Sequence, residues 1–412
     1  MTATTEAPSV VPGSRAHTDG QWGKAPVQTR SERFRSYDPA AFETPTGREA
    51  AWKHTPVALA APLFEDAPGD EGAVGIAVRG PLAAAGLAVG AAPRGEAFTP
   101  EDLPSALAWT RSAEALYLAV PAATELDEPV EVVFTGAGAG RRAHAHVVIE
   151  VGTQSRATIV LRHEGSARFA ENVEVIVRDG ARLELVTVQR WDDDAVHLAA
   201  HQARVGRDAS IRHTVVSFGG ALVRVNPSVE LAGTGSSAQL YGLSFSDAGQ
   251  HIESQVYLHH EGAETVGDVL YKGALQGDGA HSVWIGDVLI GPDAVGTDSY
   301  EANRNLVLTE GARADSVPNL EIETGDIRGA GHASATGRFD DEQLFYLQAR
   351  GIPEDEARRI VVLGFLSEIV QKVGVPSLQE ELLGAIEAEL SAGAAGRPHG
   401  ETSTAPAEGP AR

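Results

Sequence analysis

The sequence predicts a mainly β protein with helices towards its ends. Three observations carry that expectation. From about Leu126, short runs of β-branched and aliphatic residues recur, as in Val130-Glu131-Val132-Val133-Phe134 and Ala157-Thr158-Ile159-Val160-Leu161. Small-residue turns separate them, among them Asp179-Gly180-Ala181, Asp208-Ala209-Ser210, Glu261-Gly262-Ala263 and Glu310-Gly311-Ala312. After about Gly337 the alternation stops and helix signals replace it.

In chain order, residues 1–30 are rich in Thr, Ala, Pro, Gly and Ser without periodicity, a composition expected to be disordered. Residues 31–125 form a mixed, partly helical region. Thr46 is expected to open a short helix, with Glu49 three residues on as a capping box requires and Pro56 bounding its far side. The stretch 57–125 is Ala-, Gly- and Pro-rich and reads as short strands mixed with helices.

Residues 126–337 are the β core. Several runs alternate apolar and polar side chains, the mark of half-buried strands. The turns recur at roughly 15- to 30-residue intervals, against the fixed period of an ideal repeat. A β-solenoid produces this pattern, each coil burying its inner face against its neighbours. A β-sandwich is the rival, and Asp179-Gly180 and Asp278-Gly279 also suit its two-residue hairpins.

Residues 338–395 read as a helical domain. Asp340 can cap a first helix, with Gln343 three residues later. Pro353, followed by Glu354, Asp355 and Glu356, suits the start of a second helix, which Gly374 and Pro376 end after about Val373. Ser377 and Glu380 form a capping box for a last helix to about Leu390. The middle helix carries Ile360, Leu363, Phe365 and Leu366 in a run that is apolar nearly all round, so it needs burial on more than one face. One face can cover the end of a solenoid. The other can take a neighbouring helix or a partner protein, which makes these four residues docking candidates. Residues 396–412 again read as a disordered tail.

Composition narrows the function. The chain has 33 basic and 57 acidic residues, a formal charge of −24. That balance disfavours nucleic acid, whose binding needs clustered Lys and Arg, and disfavours anionic membrane. Zero cysteines exclude disulfides and zinc knuckles. Neither a secretory signal nor an apolar run of about 18 residues is read, so the expected location is the cytosol, with no membrane association.

Candidate chemistry is sparse. His144 and His146 share a strand face, as do His197 and His201, and either pair can contribute to a metal site. A hydrated strand face accounts for them as well. His259 and His260 point to opposite sides. Asp192-Asp193-Asp194 raises the alternative of a β-helix carbohydrate-active enzyme, a lyase or hydrolase working with paired carboxylates, although three adjacent acids also suit a solvated loop. No Walker A, Gly-x-Ser-x-Gly or His-Glu-x-x-His motif occurs, so any ATP use belongs to a partner. His332 stands apart: it lies in Gly329-Ala330-Gly331-His332-Ala333-Ser334, where small residues let a ligand or another backbone approach.

The residues from Asp268 to about Val373 resemble the SufB/SufD family of iron–sulfur cluster assembly proteins, most like SufD. The matching stretches are Asp268-Val269-Leu270-Tyr271-Lys272-Gly273, Thr297-Asp298-Ser299-Tyr300, Asn303-Arg304-Asn305-Leu306, Ala314-Asp315-Ser316-Val317-Pro318-Asn319-Leu320-Glu321-Ile322 and Leu344-Phe345-Tyr346-Leu347-Gln348-Ala349-Arg350-Gly351-Ile352. Gly47-Arg48-Glu49-Ala50-Ala51-Trp52-Lys53-His54-Thr55-Pro56 resembles a segment of the SufD branch.

The resemblance implies a right-handed parallel β-helix between an N-terminal helical region and a C-terminal helical domain. It implies a non-enzymatic scaffold subunit that pairs with a SufB-like paralogue and docks a SufC-like ABC ATPase through its C-terminal domain. A homodimer of the isolated chain stays open. Cluster assembly is implied at the interface between paralogues, where this branch offers a histidine that maps to His332, touching iron transiently. Many members read Asp-x-x-Cys-Ser-His there. This chain has Asp326-Ile327-Arg328-Gly329-Ala330-Gly331-His332, with no cysteine and one extra residue. Iron–sulfur clusters are held mainly by cysteine thiolates, so a chain without them is expected to hold no stable cluster alone.

Overall fold

A computed structural model describes residues 34–395, except residue 340 and the side chains of 341–343 and 392–395. The expected terminal segments 1–30 and 396–412, and the Asp340 cap, fall outside the described residues.

The architecture follows from how the strands pair. Strands β1 (Val74–Arg79) and β2 (Ala85–Ala88) form antiparallel edges on β4 (Val130–Val151) and β3 (Glu114–Val120). From β3 onwards the successive ladders are parallel. Strand β5 (Arg156–Val177) is the branch point. Its first half pairs with β6 (Arg182–Trp191) and its second half with β7 (Val196–Val205).

Thereafter each strand pairs with the strand two further on. One sheet runs from β6 through β8 (Ser210–Phe218), β10 (Ser237–Ser246), β12 (Val266–Leu275) and β14 (Thr297–Val307) to β16 (Ile327–Arg338). The other runs from β7 through β9 (Leu222–Leu231), β11 (His251–His260) and β13 (His281–Ile290) to β15 (Arg313–Ile322). Two strands per coil and about 8 coils make a parallel β-solenoid. The sandwich alternative fails because Asp179-Gly180 joins the parallel pair β5 and β6, and is a corner rather than a hairpin.

Each coil turns twice, which explains the uneven turn spacing in the sequence. At one corner the left-handed residue of successive coils stacks in a column: Gln154, Gly180, Asp208, Gly235, Glu264 and Gly296, all with φ between 52° and 74°. Each donates its N–H to a carbonyl of the next coil, as Gly180 does to Arg207 and Gly296 to Asp326. Glycine fills half of these positions because it alone adopts this conformation without steric cost.

Three apolar layers hold the fold together. The solenoid interior is filled by residues such as Phe134, Ile159, Phe169, Leu185, Val225 and Leu258. On the outer face of the second sheet, Ala170, Val196, Leu198 and Leu222 are covered by N-terminal Trp52, Leu63, Phe64 and Leu107. Leu107 comes from α2 (Leu103–Arg111), which Asp102 and Ser105 cap reciprocally. On the outer face of the first sheet, Val160, Val186, Val216, Leu243 and Phe245 are covered by α4 (Glu354–Val370) and α5 (Pro376–Ala395).

Two local expectations need correction. Glu49 does accept from the Thr46 N–H and hydroxyl, but the segment folds into successive turns. The short helix α1 (Val57–Ala60) begins after Pro56 rather than ending there. The C-terminal helices lie along the side of the solenoid, not over its end. The reason is the apolar outer face of the first sheet, which offers a longer surface than one coil end. Among the described residues the last coil is therefore left uncapped: β15 and β16 each pair on one side only.

Candidate functional site

The open end of the solenoid carries His332. It lies on β16 directly opposite Glu301 on β14. The His332 Nδ1 atom is 3.7 Å from Glu301 Oε1, too long for a hydrogen bond. The His332 side chain is 44 % exposed, whereas that of Glu301 is 1 % exposed. Among the described residues, neither Glu301 oxygen has a hydrogen-bond partner. Burial, followed by the negative charge of Asp287, pushes the Glu301 carboxyl up to about 8. Gly286 makes room for it: a β-carbon there would run into both the carboxylate and the Trp284 ring.

Around this pair the interior changes character. In register, Val269 is followed by Glu301 and then His332, and Tyr271 by Asn303 and then Ser334. Asn303 Oδ1 accepts from Ser316 Oγ at 2.6 Å and from Asn305 Nδ2 at 2.7 Å, and Asn305 also reaches Thr336. The apolar core thus ends in a hydrogen-bonded polar layer, which suits a solenoid end that meets water or another protein.

Among the described residues, most of the other histidines that the sequence singles out are held by protein neighbours. His146 is buried against Phe98 and Trp109 and bonds Glu174 at 3.2 Å, a carboxylate already held by the Gly95 and Ala97 N–H groups. His144 is partly buried beside Arg142, and both of its ring nitrogens are buried with no hydrogen-bond partner among the described residues. His197 and His201 both lie in the interior but have different partners. His201 stacks on His213, while His197 joins His163 and Glu171 in a buried group whose ligand atoms lie within 4.8 Å of one another. That group has metal-like spacing. However, His197 Nδ1 accepts from Trp191 Nε1, which leaves the proton on Nε2, facing Glu171 at 3.4 Å. Burial alone would raise Glu171, but His163 and His197 outweigh it and hold the carboxyl well below the usual range. His260 faces Thr265 and Ser299, and His259 lies against Tyr257. Asp192, Asp193 and Asp194 form an exposed turn in which Asp193 accepts from Gln250 and Asp194 from Ser166.

Of the docking candidates on α4, Leu366 is fully buried and Leu363 and Phe365 pack against the same cluster. Lys272 lies over the Phe365 ring. Ile360 alone is presented, 43 % exposed. Phe345 and Tyr346 on α3 (Asp341–Gln348), which no helix-face pattern singles out, are 71 % and 55 % exposed. Glu301 is equally silent in the sequence. The run Thr297-Asp298-Ser299-Tyr300-Glu301-Ala302-Asn303 is polar on both strand faces, so alternation gave no sign of which side was buried.

Residues 134–365 match a family model described as SUF system FeS cluster assembly, SufBD core domain. The chain is 47 % identical over 372 residues to an iron–sulfur cluster assembly SufBD family protein of Mycobacterium tuberculosis, spanning 88 % of this chain and 94 % of that one. It is 26 % identical over 260 residues to the iron–sulfur cluster assembly protein SufD of Escherichia coli, spanning 61 % of this chain and 60 % of that protein. For SufD of Bacillus subtilis the figures are 27 % over 280 residues, 66 % and 64 %.

Proposed function

The chain belongs to the SufB/SufD family of SUF-system iron–sulfur cluster assembly proteins, and from that premise we propose that it is a SufD-like, non-catalytic scaffold subunit. It pairs with a cysteine-bearing SufB-like paralogue and docks a SufC-like ABC ATPase in the cytoplasm. The observation that carries this reading is the uncapped last coil. Among the described residues, strands β15 and β16 end the two sheets with unpaired edges, and His332 sits half exposed on β16. An exposed edge is a ready template for another strand. A matching coil of the paralogue would continue both sheets and bring its thiolates to the histidine.

The family's role in cluster assembly needs sulfur ligands, and this chain has no cysteine. Division of labour resolves this: the partner supplies thiolates and this chain supplies an imidazole and a rigid platform. Among the described residues, no helix is long and apolar enough to cross a membrane. Co-purification from the native cell, with iron and sulfide assayed on the complex, tests the reading. The chain is expected to elute with both the paralogue and the ATPase. Elution alone, with neither partner at native expression, overturns it.

A further inference from the structure

We propose that Glu301 and His332 together form a binding site for a divalent first-row metal ion, taken as ferrous iron on the assembly role argued above. Glu301 is the buried anionic ligand and His332 the imidazole ligand.

Three observations carry this. First, Glu301 is an anomaly among the buried carboxylates of the solenoid. Glu171 faces His163 and His197, Glu174 accepts two backbone N–H groups, and Glu253 accepts from Arg224, Thr55 and Gln255. Glu301 is as buried as these, yet both of its oxygens lack a hydrogen-bond partner among the described residues. Buried polar groups are normally satisfied, and an orphaned one asks for an explanation such as an ion.

Second, the ladder register sets an imidazole beside it, with the nearest ligand atoms 3.7 Å apart. Two ligands at about 2.1 Å from a first-row ion stand roughly 3 to 3.5 Å apart, so a small closure brings both onto one metal. Third, the site is deep on one side and open on the other. Gly286 leaves space for the carboxylate, and the half-exposed His332 leaves positions for water or a partner's ligands. A carboxylate–imidazole pair suits iron, manganese, cobalt or zinc in their divalent forms, with availability deciding among them.

The test is an anaerobic titration of the full-length chain with Co²⁺ alone, read by its visible absorption bands, followed by competition with Fe²⁺. High salt screens diffuse binding to the acidic surface. One equivalent of Co²⁺ is expected to bind, with Fe²⁺ displacing it. Glu301→Gln and His332→Ala are each expected to weaken binding at least tenfold while leaving the thermal unfolding of the metal-free chain in place. If Glu301→Gln does not fold, His332→Asn, at the exposed side, carries the same comparison. Absence of saturable binding to the wild-type chain, or wild-type affinity in these variants, overturns the proposal. Because the titration uses the chain alone, its failure would leave the co-purification result untouched, and the reverse also holds.

Discussion

Glu301 and His332 are cross-strand partners at the last coil, one sealed inside the solenoid and the other at its mouth. This pairing joins the core to the surface where the proposed partner would sit. It also decides how a His332 variant should behave. A half-exposed side chain without a hydrogen bond contributes little to folding, typically within about 0.5 kcal/mol.

His332→Ala is therefore expected to fold and to assemble with the paralogue and the ATPase, while the complex carries several-fold less iron and sulfide. Metal and sulfide analysis of the purified complex gives the readout. A purely structural histidine would instead lower complex yield or thermal stability. Wild-type iron and sulfide loading in an intact complex would remove His332 from the chemistry.

The isolated chain is expected to hold no stable cluster. It has no thiolate, and a carboxylate–imidazole pair cannot replace the usual cysteine ligands. Anaerobic reconstitution followed by gel filtration should leave the chain without a cluster's visible absorbance. A stoichiometric cluster that survives the column would contradict the division of labour between paralogues.

The exposed side chains of the C-terminal helices separate docking from stability. Phe345→Ala with Tyr346→Ala, or Ile360→Asp, should weaken ATPase capture at least tenfold without lowering the unfolding temperature, as loss of exposed aromatic or apolar anchors does at interfaces. Leu366→Ala should do the opposite, costing about 2–5 kcal/mol of stability because it opens a cavity against the first sheet. Binding assays and thermal melts on the same proteins check both. Truncation after Gly337 is a poor alternative, since it would expose Val186, Val216, Leu243 and Phe245 together and promote aggregation.

The sequence made the solenoid visible because inward residues and corner glycines both recur, as with Gly180, Gly235 and Gly296. Its apparent irregularity came from two interleaved corners per coil. The path of the helices was not legible, because the run from Ile360 to Leu366 does not say which of two sheets it covers. His332 stands out by its small neighbours and the resemblance gives it a role, whereas Glu301 is hidden by a strand polar on both faces. Pairing of β14 with β16 is a contact between segments about thirty residues apart, which local pattern cannot supply.

The buried histidines predict how the chain responds to acid. Burial holds His197 near 4, His213 near 3 and His260 near 3, all below the ordinary value of about 6.5 for the unfolded chain. Between those limits the unfolded chain binds more protons than the folded one, so stability rises with pH there and is lost as the pH falls. Each such group changes stability by about 1.4 kcal/mol per pH unit in that window. Three acting together, offset by the raised Glu301 carboxyl, which gains stability as the pH falls through the same window, reach the lower end of a typical domain's stability, about 5–15 kcal/mol, within roughly two pH units. Cooperative acid unfolding is therefore expected between about pH 4 and 6. Fluorescence should report it, because Trp191 donates to His197 inside the core. His213→Gln should move the midpoint to lower pH provided it folds, by removing one group that must charge. A stability that stays level from pH 7 down to about 4.5 would mean that these imidazoles are already protonated in the fold, contrary to their burial.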